Sequence, residues 1–126
     1  AKREVLVMPY EYHATVVGVH DGDTITVHID LGFDILWRNQ KIRLLGINAP
    51  ELNTPDGIAS RDALLSVIPV GTEIVMQTKQ LKGDKEKYGR WLGTIMAPVG
   101  GVVSNINVWM VSNGHAKPFM APILGS

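Results

Sequence analysis

Three short segments of the chain combine charged side chains in a way that suits phosphate or metal chemistry. The segment from Lys41 to Glu51, KIRLLGINAPE, begins as an apolar strand with one arginine, Arg43. It ends on a rigid corner, Asn48-Ala49-Pro50-Glu51, in which a proline precedes a carboxylate. An unpaired cation among apolar residues is costly, so Arg43 requires a protein carboxylate or a bound phosphate, which a guanidinium grips well. Glu51 is either that carboxylate or a group that orients and deprotonates water. This segment alone leaves both interpretations open.

The second segment, Asp21-Gly22-Asp23-Thr24, places two carboxylates two residues apart in a tight turn. Hard oxygen ligands on a short loop suit Ca²⁺ or Mg²⁺. The alternative is a plain hairpin turn whose acids cap backbone amides, and for this segment alone that alternative is favoured. The spacing excludes an EF-hand loop, because no glutamate stands at the twelfth position counted from Asp21.

The third segment, Lys87 to Arg90 (KYGR), closes a polar connection that begins at Lys79 and carries five basic and two acidic residues. Taken alone, it is explained by a solvated charged loop. The four histidines of the chain are scattered, with no pair at the spacing that zinc ligands need. The sequence also contains no glycine-rich phosphate-binding loop.

Composition narrows the class of protein. The 126 residues suit one domain with one core, and 45% hydrophobic with 19% charged residues is typical of a globular protein. Lys+Arg equals Asp+Glu at 12 each, so binding of a polyanion must depend on local charge. No apolar run approaches the roughly 18 residues that cross a bilayer, so no membrane partner is expected, and a monomer is the default. No segment looks like a signal peptide, and the localisation stays unknown.

The elements that must position these residues are readable from periodicity and turn signals. Asp21-Gly22 predicts a hairpin turn, and Leu31–Asn39 is predicted as a longer connection. A first helix is predicted from the N-cap Thr54 to about Ile68, and a second from Ser104 to Asn113. The predicted strands cover residues 13–19, 24–30, 41–47, 72–78 and 91–97.

Three strands, a helix, two strands and a helix is the element order of an OB-fold, a five-stranded, partly open barrel. The predicted fold class is therefore β-rich α+β, an OB-fold barrel with two helices. We expect one domain over residues 1–126, with its core at about residues 12–120.

Together, DGDT, IRLLGINAPE and KYGR, in that order, resemble the staphylococcal nuclease (thermonuclease) family. GHAKPF, after the second predicted helix, is similar to the segment that follows that helix in the family. The resemblance implies an OB-fold domain that hydrolyses phosphodiester bonds of DNA or RNA with little sequence specificity. It implies Ca²⁺ as cofactor, with Mg²⁺ or Mn²⁺ as alternatives, and it favours, without deciding, a secreted protein.

The resemblance also implies a role for each site residue: metal ligation, catalysis or substrate binding. The implied metal residues are Asp23, Asn48 and the backbone carbonyl of Ala49, with Asp21 close by; the catalytic residues are Arg43, Glu51 and Arg90; the substrate-binding residues are Lys87 and Tyr88. The two arginines would grip the scissile phosphate, and Glu51 would activate or position water.

The chain departs from the family pattern in ways that bear on function. Asn48 replaces an aspartate, which keeps an oxygen ligand but removes a charge, so weaker Ca²⁺ binding is expected. Ala49 replaces a threonine but keeps its carbonyl. The loop after Glu51 is short, the third helix of longer members is absent, and the neutral chain predicts a shallower salt dependence of nucleic-acid binding.

The alternative to a nuclease is a catalytically weak or inactive OB-fold module that binds nucleic acid or protein. A degenerate module would lose its charged catalytic side chains first. Arg43, Glu51 and Arg90 are all present here, whereas Asn48 supports the alternative.

Overall fold

A mostly antiparallel sheet that closes on itself forms the body of the molecule. The computed structural model describes residues 10–78 and 90–119. Its strands are β1 (Tyr10–Asp21), β2 (Thr24–Gly32), β3 (Ile35–Leu44), β4 (Ile47–Asn48), β5 (Glu73–Thr78), β6 (Trp91–Val99), β7 (Val102–Asn105) and β8 (Lys117–Pro118), and its helices are α1 (Pro55–Val67) and α2 (Ile106–Ser112).

The strand order is β3-β2-β1-β5-β6-β7, and β3 also pairs with β6. This additional pairing is parallel, with Ile42 opposite Trp91 and Leu44 opposite Gly93, and it closes five strands into a ring. The ring and the two helices confirm the predicted OB-fold. The part of the chain that the structure describes contains no third helix, and neither of its two helices is long and apolar enough to cross a membrane.

The core lies inside the ring, because the strands turn alternate apolar side chains inward. Helix α1 adds Leu64, and the residue that caps its end, Ile68, is buried as well; α2 adds Ile106 and Met110. The largest fully buried side chains of the strands are Val16, Ile25, Val27, Ile42, Leu44, Ile74, Met76 and Ile95.

Helix α1 begins as predicted, and its start fixes the corner at Glu51. The Thr54 hydroxyl accepts from the Gly57 N–H at 3.0 Å and donates to the Glu51 carbonyl at 2.6 Å. The Thr54 N–H donates to the same carbonyl at 3.0 Å. A side chain at Gly57 would overlap that carbonyl, so the backbone of the corner packs directly on the first turn of the helix.

The prediction of a long connection over Leu31–Asn39 is wrong. β2 and β3 instead form a hairpin that continues to Gly32 and Ile35, with positive φ angles of 56° at Phe33 and 61° at Asp34. The outer part of the hairpin is exposed on both faces, so its apolar residues show no inside–outside alternation. Residues other than glycine at positive φ also give no strong turn signal in the sequence.

Other boundaries also differ from the predictions, and two of them bear on the site. The third strand ends at Leu44 and not at Ile47, because Gly46 turns the backbone at a φ of 84°. The second helix begins after Asn105, whose side chain accepts from the Val108 N–H at 3.0 Å. The residues before it form β7, a strand that was not predicted and that pairs with β6.

Candidate active site

The predicted site residues converge at one end of the barrel, where the β1–β2 turn, the end of β3 and the corner after β4 meet. They line a cleft of about 490 Å³. Every predicted site residue that the structure describes lies there: Asp21, Asp23, Arg43, Asn48, Ala49, Glu51 and Arg90. Lys87 and Tyr88 lie outside the described residues, so their substrate-binding roles stay predictions.

Two strand registers bring the acidic turn and both arginines together. In the β2–β3 pair, Thr24 stands opposite Arg43, which places the arginine beside the turn that holds Asp23. The Leu44 N–H also donates to the Asp23 carbonyl at 2.8 Å. The parallel pairing of β3 with β6 begins at Trp91, so Arg90 enters the same end of the barrel.

Helix α1 supports the acidic turn from behind. A side chain at Gly22 would overlap the Ser60 hydroxyl and would lie 2.8 Å from Cβ of Ala49. The Ser60 hydroxyl donates to the His115 carbonyl at 2.7 Å. The turn, the helix and the corner therefore pack closely, and the glycine of the turn is required for that approach.

Asp23 is the centre of the site, and it is only 6% exposed. One carboxylate oxygen, Oδ1, accepts from the Thr24 hydroxyl at 3.1 Å. The other, Oδ2, accepts from the Ala49 N–H at 2.9 Å and lies 3.1 Å from Nη1 of Arg43. Asp23 thereby ties the β1–β2 turn to both the corner and the third strand.

Arg43 bridges the two side-chain oxygens that were predicted to ligate a metal. Its Nη1 pairs with Asp23, and its Nη2 donates to Oδ1 of Asn48 at 3.3 Å. The side chain is 13% exposed, and its Cζ lies 5.9 Å from the centroid of the Phe119 ring. The carboxylate that pairs with Arg43 is thus Asp23 and not Glu51, which leaves Glu51 available for another role.

Burial raises the pKa of the Asp23 carboxyl above its ordinary value of 3.8, and the neighbouring Asp21 carboxyl adds to the rise. The Ala49 amide and the Arg43 charge act in the opposite direction and offset only part of it. The folded protein therefore binds the Asp23 proton more tightly than the unfolded chain does. This group's contribution to the free energy of unfolding rises as the pH falls through its folded pKa toward 3.8.

We expect Asp23→Asn to remove this contribution. The free energy of unfolding of the variant, minus that of the wild type, should fall as the pH is lowered from neutral toward 3.8. Urea unfolding at a series of pH values measures this difference. Asp62→Asn, which removes an exposed carboxylate from α1, is the matched control. A difference for Asp23→Asn that stays constant or grows on acidification would contradict the raised pKa.

Arg90 and Glu51 are the remaining predicted charged residues of the cleft. Nη1 of Arg90 donates to the Thr24 hydroxyl at 3.1 Å. The Glu51 side chain stands exposed at the rim, while its backbone is fixed by the start of α1. The cleft thus presents two guanidinium groups inside and one accessible carboxylate at its edge.

Four cleft residues and one neighbour were not predicted as site residues: His20, Thr24, Lys41, Pro50 and Phe119. Lys41 could have been found, since it stands two residues before Arg43 and residues at this spacing share a face of a strand. Thr24 adjoins Asp23 in the acidic turn, but nothing local shows that its hydroxyl reaches Arg90. Phe119 is held beside Arg43 because its N–H donates to the Gly46 carbonyl at 2.8 Å.

The donor set of the cleft fits a hard divalent cation. The carboxylates of Asp21 and Asp23, the amide oxygen of Asn48 and the backbone of Ala49 line the same space. Within residues 10–78 and 90–119, no three His, Cys, Asp or Glu side chains are grouped for metal binding, so a cation held here would also need the amide or carbonyl oxygens. Such oxygens suit Ca²⁺ or Mg²⁺, whereas zinc prefers nitrogen and sulfur.

Comparison with known families gives a match over most of the chain. The family model described as "Staphylococcal nuclease homologue" matches residues 41–122. This range contains the third strand from Lys41 onward, the corner, both helices and the KYGR motif. It therefore covers most of the residues that line the cleft.

Individual relatives agree with this match. An "Uncharacterized endonuclease" of Escherichia coli O157:H7 is 35% identical over 106 residues, which are 84% of this chain and 60% of the relative. "Probable staphylococcal-like nuclease CAN3" of Oryza sativa subsp. japonica is 36% identical over 88 residues, 68% of this chain and 20% of that protein. "Protein ParB" of Escherichia coli is 32% identical over 111 residues, 84% of this chain and 56% of the relative. The chain spans 60% or less of the length of each of these three relatives.

Proposed function

The chain belongs to the staphylococcal nuclease family, and on that basis we propose that it is a metal-dependent phosphodiesterase that hydrolyses DNA or RNA with little sequence specificity. The observation that carries this proposal is the cleft itself. It gathers two arginines, a rim carboxylate and a set of hard oxygen donors at one end of the barrel. A phosphodiester is the substrate that would use all three kinds of group at once.

The two arginines are suited to hold the scissile phosphate. Hydrolysis places additional negative charge on the phosphate oxygens in the transition state, and fixed donors aimed at that charge usually contribute more to catalysis than any other single effect. Arg43 is held by Asp23 and Asn48, and Arg90 by Thr24, so both guanidinium groups have protein contacts that restrict their orientation. Glu51, at the rim, is the candidate base that removes a proton from the attacking water.

The proposed cofactor is Ca²⁺, with Mg²⁺ or Mn²⁺ as alternatives. Asp23, Asn48 and the Ala49 carbonyl would hold the ion, and Asp21 would shape the site from nearby. When bound, the cation supplies positive charge against the phosphate oxygens. Because Arg43 contacts both Asp23 and Asn48, it lies within reach of a phosphate held beside these ligands.

The second candidate function is binding of nucleic acid without cleavage. Asn48 favours it, since an amide oxygen carries less charge than a carboxylate and Arg43 already donates to it at 3.3 Å. The two candidates differ in one measurable property, cleavage in the presence of a divalent cation.

Incubation of the purified protein with single-stranded DNA or RNA tests the proposal. Cleavage is expected with Ca²⁺, Mg²⁺ or Mn²⁺ and is expected to stop with a chelator. A doubly substituted protein, Arg43→Lys with Glu51→Gln, purified in the same way, controls for contaminating nuclease. A folded wild-type protein that cleaves neither substrate with any of the three cations would exclude the nuclease and leave the binding module.

We expect Asn48→Asp to tighten Ca²⁺ binding by roughly an order of magnitude, because ligand charge is a main determinant of calcium affinity. Isothermal titration calorimetry measures the change. Asn39→Asp is a suitable control: it adds the same charge to β3 at a residue that does not line the cleft, and its φ of 57° suits either side chain. Affinity that is unchanged or weaker in Asn48→Asp would count against Asn48 as a ligand.

A further inference from the structure

Thr24 lies between Asp23, the proposed metal ligand, and Arg90, a proposed phosphate-binding residue. It begins β2, directly after the acidic turn, and it is 2% exposed. Its hydroxyl oxygen is 3.1 Å from Oδ1 of Asp23 and 3.1 Å from Nη1 of Arg90. A buried hydroxyl therefore joins the proposed metal ligand to one of the proposed phosphate-binding arginines.

The direction of these hydrogen bonds follows from the chemistry of the three groups. A guanidinium can only donate, so the Thr24 oxygen must accept from Arg90. The hydroxyl has one proton, and an ionised carboxylate can only accept, so this proton points to Asp23. Donors thus run one way, from Arg90 through Thr24 to Asp23, and the opposite charges at the two ends polarise the hydroxyl and strengthen both bonds.

The backbone of Thr24 is well placed to hold this geometry. It pairs with Arg43 in the β2–β3 register and with Asp21 across the tight turn of the β1–β2 hairpin. An arginine side chain has several rotatable bonds, and a fixed acceptor restricts them.

We propose that Thr24 is a positioning residue: its hydroxyl orients the Arg90 guanidinium toward the scissile phosphate and holds it in register with the Asp23 carboxylate. This inference rests on the proposed nuclease function. It differs from a purely structural role for a buried threonine, because it requires the hydroxyl to act through Arg90 on the rate of the chemical step.

Thr24→Val tests the proposal, since it keeps the shape of the side chain and removes the hydroxyl. We expect kcat for cleavage of single-stranded DNA with Ca²⁺ to fall roughly 10- to 100-fold, the range for loss of a hydrogen bond to a charged group, with KM changed much less. Thr24→Ser, which restores the hydroxyl, should recover most of kcat. Thr26→Val, two residues along the same strand and outside the cleft lining, is the matched control.

A double-mutant cycle with Arg90 separates positioning from packing. If Thr24 acts through Arg90, Thr24→Val should change kcat by less than about threefold in an Arg90→Ala background. Should Thr24→Val fold poorly, Thr24→Ala takes its place in the same cycle. A purely structural role predicts a lower melting temperature with kcat unchanged, or the full loss of kcat in both backgrounds, and either result would overturn the proposal.

An NMR measurement keeps this test independent of the nuclease assay. In ¹⁵N–¹H spectra of the arginine side chains, the Nη signals of Arg90 should have the same shifts in the wild type and in Thr24→Ser, and should move in Thr24→Val because the hydrogen bond to the hydroxyl is lost. Absence of cleavage by the wild type would refute the proposed function alone. Signals of Arg90 that are unaffected by Thr24→Val would refute the role of Thr24 alone.

Discussion

Arg43→Lys is expected to lower kcat for phosphodiester cleavage about 10²- to 10³-fold, the usual effect of removing one donor that stabilises charge in a transition state. Lysine keeps the positive charge but replaces the planar fork by a single ammonium group. In the structure the fork uses Nη1 for Asp23 and Nη2 for Asn48, at 3.1 Å and 3.3 Å. An ammonium group cannot make both contacts in the same geometry and also hold a phosphate.

Lysine is a sharper test than alanine at this position. Arg43→Ala would leave the buried Asp23 carboxylate without its ion-pair partner, and an uncompensated buried charge destabilises the fold. Steady-state kinetics with saturating Ca²⁺, together with urea unfolding, separate a change in chemistry from a change in stability. Arg38→Lys makes the same change on β3 at a residue that does not line the cleft. A kcat for Arg43→Lys within a few-fold of the wild type would remove Arg43 from the catalytic set.

Glu51→Gln is expected to lower kcat about 10²- to 10⁴-fold, the range typical for loss of a general base. The side chain is exposed at the rim of the cleft, so an isosteric amide should not disturb packing. The corner itself should keep its conformation, because the Glu51 carbonyl is held by two hydrogen bonds from Thr54 and by the contact with Gly57. The loss would therefore report on the carboxylate alone.

Two measurements separate a base from a metal ligand at this position. If Glu51 acts on water, the calorimetric Ca²⁺ affinity of Glu51→Gln should match that of the wild type while kcat falls. Glu73→Gln, at the start of β5 and outside the cleft, is the matched control. A Ca²⁺ affinity that falls in parallel with kcat would assign Glu51 to the metal site. An unchanged kcat would show that Glu51 is not the general base.

The corner after β4 shows how the fold prepares this chemistry. Asp23 accepts from the Ala49 N–H on one side of the corner, and Thr54 holds the Glu51 carbonyl on the other. Both ends of the corner are therefore fixed by hydrogen bonds. A site of this kind depends on preorganised groups, and here the hairpin turn and the start of α1 supply the restraint.

The features that the sequence determined by itself are local. The Asp-Gly turn, the Thr54 cap with Pro55 behind it, and the alternation of β2 each depend on residues a few positions apart. Propensity and turn chemistry act over that range, so these elements were predicted correctly. The predicted site residues came from the resemblance that three short motifs share with one family, and the structure places all of those residues that it describes around one cleft.

The tertiary structure alone decided which of these residues meet. Arg43 pairs with Asp23 and not with Glu51, although Glu51 is nearer in the sequence. Arg90 donates to the hydroxyl of Thr24, 66 residues earlier in the chain. Both contacts follow from the register of β2 on β3 and from the parallel pairing of β3 with β6, which closes the barrel. Long-range registers of this kind are set by the packing of the whole core, and no short window of sequence contains them.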